Sequence, residues 1–274
     1  GLVALGFVLI FKATEVINFA QGELLMLGAF ISYSLITFLN FPYWGALLVT
    51  VVVMGLFGTL LERTVLRSLV GEPVYAIVIV TIGISFFLRS VASMVPGWGT
   101  DTYGFQTPFT DRVVRSGVLA VSWEHISIVV ITTILILVLF AFFRYTRVGT
   151  AMRATSQNQL AAVYMGISVT RVFSLTWTIA AALGGIGGIL LAPITFVHMY
   201  MGLIGLKAFP AAVLGGFGSL PGAIVGGLII GVTESLAGFY LPEGWKDIAA
   251  WLILIGVLVI RPQGLFGIQE KKKV

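Results

Sequence analysis

The sequence is dominated by long apolar runs that polar stretches interrupt. A helix needs about 20 predominantly apolar residues to cross the hydrocarbon core of a bilayer. The candidate spans share this length or come close to it, and they are residues 24–39, 43–61, 74–95, 126–143, 172–192, 223–240 and 248–260. A further run, 2–11, is about half a span long. The pattern predicts an all-α, polytopic transmembrane helical bundle of about eight spans within one domain, residues 1–274.

Composition supports the membrane class. Only 10% of the residues are charged and mean hydropathy is +1.06, whereas about a quarter of the residues of a soluble domain are charged. Cysteine is absent, so disulfides and thiolate metal sites are excluded. Residue 1 is a glycine inside an apolar run, so we expect the natural N-terminus to lie upstream.

The net charge of +5 is interpreted as a sign of topology rather than of nucleic-acid binding. Loops on the cytoplasmic side of membrane proteins carry an excess of lysine and arginine. Ten basic residues fall on one side of the predicted bundle, in 62–72, 144–171 and the C-terminal tail with Lys271–Lys273, against three on the other, Arg112, Arg115 and Lys246. The segment 144–171 is therefore predicted to be cytoplasmic.

The segment 193–245 must cross the membrane an even number of times, because the span before it leaves the cytoplasm and the span after it returns there. Residues 203–214 are short for a full crossing and are followed by the glycine- and proline-rich stretch 215–222. We therefore expect a half-helix that enters the membrane, breaks at this stretch and leaves through 223–240. Gly218, Gly222 and Gly226 are spaced for close helix packing.

The usual enzyme signatures are absent from the sequence. It has no G-x-x-x-x-G-K-[ST] phosphate loop, no H-E-x-x-H pair and no G-x-S-x-G elbow. His125 and His198 lie near predicted outer membrane edges, where a solvated histidine is expected. The glycines of 184–188 lie within a span and favour helix packing over nucleotide binding. We expect no catalytic residue, no metal site and no cofactor in this chain.

Ionisable residues at membrane depth are the remaining candidates for chemistry. Charges there are costly and tend to face a partner or a cavity. Lys12 and Glu15 are spaced to pair on one helix, and Arg89 is expected to extend toward the membrane surface. Glu23 and Glu234 have no partner nearby in sequence, so both interhelical ion pairs and a lined pathway remain open for them.

The polar stretch 12–23 and the glycine- and proline-rich stretch 215–222 interrupt apolar runs, one in each half of the chain. These two breaks fit transporters whose interrupted helices line the substrate route. We take the following residues as pathway candidates: Asn18, Gln21, Glu23, Gly216, Gly218, Ser219 and Glu234.

The segment 144–171 carries four arginines and no acid. Residues 151–165 predict one or two short helices with Leu160, Val163 and Tyr164 on one face, and Gly166 is a stop signal. An exposed, partly apolar helix suits a groove of another protein. Contact with anionic lipid through the arginines is the alternative.

Four motifs resemble the permease subunits of branched-chain amino acid ABC importers (the LivH type, an inner membrane component of a binding-protein-dependent transport system). They are INFAQGE at 17–23, GTAMRA at 149–154 with Asn158, Ala161 and Gly166, KAFPAAVLGGFGSLPGA at 207–223, and RPQGLFG at 261–267. They are spread over nearly the whole chain in the family's order. Gln21 departs from the family pattern, in which many relatives have histidine, and this bears on substrate choice.

The resemblance implies a multi-pass permease half in the bacterial inner (plasma) membrane, with the ATP hydrolysis in partner subunits. The implied partners are a second homologous permease, two cytoplasmic ABC ATPases and a periplasmic substrate-binding protein, besides membrane lipid. The implied coupling residues are Gly149, Arg153, Ala154, Asn158, Ala161 and Gly166.

Other transport functions stay open from the sequence. Members of this family also serve urea, short amides and other small organic solutes, so these are alternative substrates. An ion-coupled secondary transporter with Glu23 and Glu234 as coupling carboxylates is a rival class, and a channel is another.

Overall fold

The computed structural model describes residues 1–110, 112–116, 119–242 and 244–267. Almost all of the regular structure in these ranges is α-helical, which confirms the predicted class. The helices of the first half are α1 (Leu2–Thr14), α2 (Gln21–Thr37), α3 (Tyr43–Thr64), α4 (Val74–Met94), α5 (Trp123–Tyr145) and α6 (Arg147–Gln157). Those of the second half are α7 (Gln159–Tyr164), α8 (Val169–Thr195), α9 (Met201–Leu206), α10 (Ala208–Gly215), α11 (Leu220–Tyr240) and α12 (Trp245–Ile260).

The structure does not confirm the expected count of about eight spans. Within the described ranges, five helices are long and apolar enough to cross a membrane, namely α3, α4, α5, α8 and α11. Helix α2 has 17 residues and α12 has 16, so both are shorter than those five. Helix α1 and the pair α9–α10 are shorter apolar segments.

Helix α8 is the centre of the bundle and packs against α1, α2 and α3. Glycines of α8 and of α3 allow this packing, as the sequence predicted for 184–188. A Cβ atom on Gly188 would lie 2.6 Å from the backbone nitrogen of Ala29, and one on Gly58 would lie 2.5 Å from the carbonyl oxygen of Trp177. Such small residues let helix backbones approach closely where lipid supplies no hydrophobic drive for association.

The outer segment between α4 and α5 contains the short antiparallel strands β1 (Val113–Ser116) and β2 (Leu119–Ser122), which the sequence did not predict. The residues before β1 fold back over the bundle. The Trp98 ring stacks on Phe30 of α2 with centroids 4.9 Å apart, and its Nε1 donates to Ser34 Oγ at 2.7 Å. Tyr103 forms a β-bridge with Val197, which covers the outer end of α8.

A buried carboxylate fixes the short connection between α3 and α4 at the opposite end. Glu62 accepts hydrogen bonds from Arg67 Nε at 3.2 Å and Arg67 Nη2 at 2.9 Å. Ser174 of α8 also donates to Glu62. The 3₁₀ turn Leu66–Leu69 is thereby held against the centre of the bundle.

The structure corrects the expectation that the half-helix over 203–214 breaks within the membrane. Helices α9 and α10, which contain this segment, extend to the end of the bundle where residues 261–267 lie. The backbone of residues 265–266 donates to Leu214 and Gly215 at 2.8 and 3.1 Å. Residues 261–267 follow the last span, so the break after α10 lies on the side predicted to be cytoplasmic. Lys271–Lys273, which contributed to that side assignment, lie outside the described residues.

The predicted glycine packing in α11 is confirmed in part. A Cβ atom on Gly222 or Gly226 would clash with the backbone of α10, at Gly215 and Ala211 respectively, whereas one on Gly218, in the turn before α11, would meet nothing within 4 Å.

We predict that Gly188→Ala destabilises the protein by about 1–3 kcal/mol, since the added methyl meets backbone atoms of α2 that have no room to move. Gly83→Ala in α4 is the matched control, because nothing lies within 4 Å of its Cβ position. Thermal unfolding in detergent measures both variants. Equal melting temperatures would contradict the packing described here.

Candidate functional site

The first break separates α1 from α2 and lies deep inside the bundle. Glu15 ends α1 in the left-handed conformation, with φ 59°. The chain then reaches the Thr81 hydroxyl in α4, which accepts from the backbone nitrogen of Phe19 at 3.2 Å. Helix α2 starts beside Ala180, the twelfth residue of the 27 in α8. The N-terminus of α2 is therefore inside the membrane region, as in discontinuous transporter helices.

Two amide side chains hold this break together. Gln21 Nε2 donates to the carbonyl oxygen of Ala180 at 3.0 Å, and Asn18 Nδ2 donates to Gln21 Oε1 at 3.3 Å. Asn18 Oδ1 accepts from the backbone nitrogen of Ala20 at 3.0 Å. A Cβ atom on Gly6 would clash with the Gln21 amide. Both amides are fully buried, so the geometry favours a packing role, and a pathway role for either stays a prediction.

Glu23 in the first turn of α2 forms an ion pair with Arg89 of α4. The Glu23 side chain is 3% exposed and that of Arg89 is 22% exposed. The expectation that Arg89 extends to the membrane surface is wrong, because a buried carboxylate 66 positions away in sequence holds its guanidinium. Glu23 also lies against Gly202 of α9, where a Cβ atom would clash with the carboxylate.

Glu234 also has a cationic partner. Lys207, at the junction of α9 and α10, lies 3.8 Å from Glu234 Oε1 and forms a second ion pair with Asp247 of α12. Sequence reasoning missed Asp247, although its position in the first turn of an apolar helix was a signal. Of the two alternatives left open for Glu23 and Glu234, the structure contains the interhelical ion pairs, and a lining role stays a prediction.

The second break follows α10 and is closed by the C-terminal segment. Gly216 is buried with φ +93°, a conformation that favours glycine. Ser219 starts α11 by accepting from the backbone nitrogen of Gly222 at 3.1 Å. Gly218 is exposed and lines a cleft.

Residues 144–171 contain two short helices, which confirms the helical prediction for this segment. The Thr146 hydroxyl accepts from the Gly149 backbone nitrogen at 2.9 Å and so starts α6. Asn158 Oδ1 accepts from the Ala161 backbone nitrogen at 2.9 Å and starts α7. Gly149 is buried, since a Cβ atom there would lie 2.5 Å from the carbonyl oxygen of Phe142. Gly166 follows α7 with φ +80°.

The implied coupling residues differ in exposure. Arg153, Asn158, Ala161 and Gly166 are exposed, whereas Ala154 is half-buried. Apolar side chains of α7 are also exposed, Leu160 to 72% and Tyr164 to 86%. Water-facing apolar groups in a short basic segment are a feature of an interaction surface.

One cleft of about 650 Å³ joins helix α6 to both breaks. Its lining comes from three parts of the chain: Arg153, Ser156 and Gln157 of α6, Phe11, Lys12 and Glu15 around the end of α1, and Phe217, Gly218, Pro262 and Gln263 around the second break. The expected Lys12–Glu15 ion pair is absent from the described residues, because the left-handed turn at Glu15 ends the helix before a pair forms.

The two histidines have no catalytic or metal-binding partners among the residues that the structure describes. His125 is exposed at the start of α5. His198 Nδ1 accepts from the backbone nitrogen of Tyr200 at 3.2 Å. Partial burial lowers the pKa of His198, so this side chain is neutral near pH 7.

Comparison with known proteins identifies the family. The model of the family described as "Branched-chain amino acid transport system / permease component" matches residues 1–260. The chain belongs to this permease family. It is therefore a transport subunit of the ABC class and not itself an enzyme. The membership and the apolar helices confirm the expected location in the inner (plasma) membrane.

Individual relatives match over nearly their whole length. The permease is 34% identical to the high-affinity branched-chain amino acid transport system permease protein LivH of Escherichia coli K12, covering 100% of this chain and 92% of the relative. It is 32% identical to the corresponding BraD protein of Pseudomonas aeruginosa, covering 100% and 93%. A probable branched-chain amino acid transport permease protein LivH of Methanocaldococcus jannaschii is 29% identical, covering 99% and 89%. No solved structure gives a significant match.

We predict that Gln21→Met destabilises the permease by about 1–3 kcal/mol, because the Asn18 amide loses its buried acceptor. Methionine has a similar size, so packing is largely kept. The melting temperature in detergent measures the effect, and Gln157→Met on the exposed surface of α6 is the control. A stability equal to that of the unmodified permease would show that the amide pair does not hold the first break.

Proposed function

We propose that this permease is one half of the translocation pathway of an ATP-driven importer for branched-chain amino acids. The observation that carries the proposal is the cleft in which Arg153 of α6 meets both helix breaks. A partner that moves α6 would act on both breaks at once. The family membership supports the transporter class, and the names of the relatives support the substrate. Urea or short amides are the alternative substrates.

The coupling segment 144–171 offers a surface for cytoplasmic ATPases. Leu160 and Tyr164 expose apolar surface, and its burial against a partner would be favourable. The same segment carries exposed arginines, namely Arg147, Arg153 and Arg171. The proposed partner presents an apolar groove with an acidic rim, and such a groove accepts a short amphipathic helix.

Movement of this segment would be transmitted through α1. Met152 of α6 is buried, and together with Leu9 and Ala13 it lines a small pocket between α6 and α1. Gln159 Nε2 donates to the carbonyl oxygen of Ala13 at 3.4 Å. The Phe11 ring lies 4.6 Å from that of Phe217 in the second break. A displacement of α6 and α7 would therefore reach both breaks through packed side chains, which supports alternating access.

The remaining partners follow from the same proposal. A second homologous permease would complete the pathway, two ABC ATPases would bind the coupling segments, and a periplasmic binding protein would deliver the solute at the outer face. The whole chain would act as one transmembrane domain surrounded by lipid. An ion-coupled mechanism is less well supported, because Glu23 and Glu234 each face a cation from a neighbouring helix.

We predict that Arg153→Glu leaves the permease in the membrane but uncouples ATP hydrolysis from uptake, lowering uptake by about tenfold. Reversal of this charge alters the cleft shared by α6 and both breaks. Uptake and hydrolysis are measured together in vesicles that contain the complete complex. Arg63→Glu, the same charge change at an exposed residue at the end of α3 and outside the coupling segment, is the control. Normal coupled uptake by the Arg153 variant would refute the role of α6.

We predict that Leu160→Ala combined with Tyr164→Ala weakens binding of the ATPases, since the variant removes the two most exposed apolar side chains of α7. Co-purification of the ATPases from detergent extracts measures the effect. Val121→Ala removes an exposed apolar side chain from the outer hairpin and is the control. Retention of the ATPases by the α7 variant at the control level would place their binding surface elsewhere.

A further inference from the structure

We propose that the Glu23–Arg89 ion pair is a gate in the transport pathway that opens by exchanging partners with a zwitterionic solute. In the open state, Arg89 would bind the α-carboxylate of an amino acid and Glu23 its α-ammonium group. The inference rests on the proposed importer function and names the part of the solute that the permease recognises. It assigns to the pair a role beyond holding α4 against α2.

The pair lies within the membrane. Arg89 is roughly 22 Å of helix axis from Val74, the cytoplasmic start of α4, at 1.5 Å per residue, and the hydrocarbon core is about 30 Å thick. Glu23 is in the first turn of α2, whose N-terminus starts inside the bundle. A broken helix at such depth is the common setting of substrate sites in transporters.

Both members of the pair keep unused hydrogen-bonding atoms. Glu23 Oε2 and Arg89 Nε are buried and have no hydrogen-bond partner. Buried polar atoms without a partner are rare, and each calls for an explanation. The free Glu23 oxygen can accept from the ammonium group of a zwitterion, and the free Arg89 nitrogen can donate to its carboxylate.

The surface around Arg89 is unsuited to lipid. Its side chain remains 22% exposed, and Ser85 and Ser93 lie one helical turn away on either side, on the same face of α4. Charged surface open to hydrocarbon is strongly disfavoured. We therefore assign this face of α4 to a polar route rather than to the bilayer.

Helix α4 is also loosely attached to the rest of the chain. Three of its residues, Thr81, Leu88 and Ala92, are buried, whereas α8 buries fifteen. The Glu23–Arg89 pair and the Phe19–Thr81 hydrogen bond are its polar ties to the first break and α2. Exchange of the ion pair for the two ends of a solute would release α4 from α2 without leaving a charge unpaired. Removal of one partner from a buried pair is strongly unfavourable, so a singly charged solute would open this gate poorly.

The test uses the complete complex in vesicles, with leucine as the zwitterionic probe delivered by a saturating amount of its binding protein. Two variants separate the gate from a merely structural tie. Glu23→Gln combined with Arg89→Met replaces the ion pair by neutral groups of similar size. Arg89→Lys keeps the charge but removes the planar fork that binds a carboxylate in bidentate fashion. We expect both to lower leucine uptake per assembled complex by about tenfold or more.

The matched control is Glu62→Gln combined with Arg67→Met. It removes a second pair in which a nearly buried glutamate meets a partly exposed arginine, at the cytoplasmic end of α3. This variant should transport leucine normally per assembled complex. Uptake at the unmodified rate by either Glu23–Arg89 variant would overturn the gate. If the unmodified complex itself lacks ATP-dependent uptake, the proposed function fails instead.

A second measurement does not depend on those variants assembling. The chain has no cysteine, so single cysteines report the surroundings of chosen positions. Ser85→Cys and Ser93→Cys should react with a charged, membrane-impermeant thiol reagent, and leucine-loaded binding protein with ATP should change the rate. Phe87→Cys, on the opposite face of α4, should not react. Equal inertness of all three positions would place the Arg89 face in lipid and would overturn the proposal.

Discussion

The fold depends on one constraint, namely that every backbone polar group within a membrane must find a partner inside the protein. Continuous helices meet this constraint by themselves, but the first break, which lies inside the bundle, does not. The Thr81 hydroxyl and the Asn18 side chain accept there from the backbone nitrogens of Phe19 and Ala20. The second break, at the end of the bundle predicted to be cytoplasmic, is held by the backbone of residues 265–266. Specific hydrogen bonds inside the protein therefore stabilise both breaks.

The same breaks connect packing to function. Glycines let α8 approach α2 and α3 closely, which makes the centre of the bundle rigid, whereas α4 and α5 bury little surface. Because the centre is tightly packed and α4 and α5 are loosely attached, we expect movement to occur between these outer helices and the centre. Helix α6 touches the end of α1, and α1 leads directly into the first break. In the proposed mechanism, a force applied to α6 would therefore reach the first break.

The sequence predicted what depends on local pattern. Apolar length located α3, α4, α5, α8 and α11. The spacing of Leu160, Val163 and Tyr164, with Gly166 as a stop signal, indicated one or two short helices within 151–165. Sequence reasoning failed where distant residues meet. The contact between Gln21 and Ala180 joins positions 159 apart, and that between Glu23 and Arg89 joins positions 66 apart. Hydropathy also predicted the wrong position for the break after 203–214, because the hydrogen bonds that fix its end join residues 214–215 to residues 265–266, which are 51 positions further along the chain.

The most direct test of this account is reconstitution in vesicles with a controlled interior. The permease alone, under an imposed proton or sodium gradient, is compared with the permease joined to its ATPases, a second permease and a leucine-loaded binding protein. The account predicts no leucine uptake by the chain alone, and uptake by the complex only when ATP is present on the ATPase side. Gradient-driven leucine uptake by the chain alone, abolished by an uncoupler and indifferent to ATP, would contradict it.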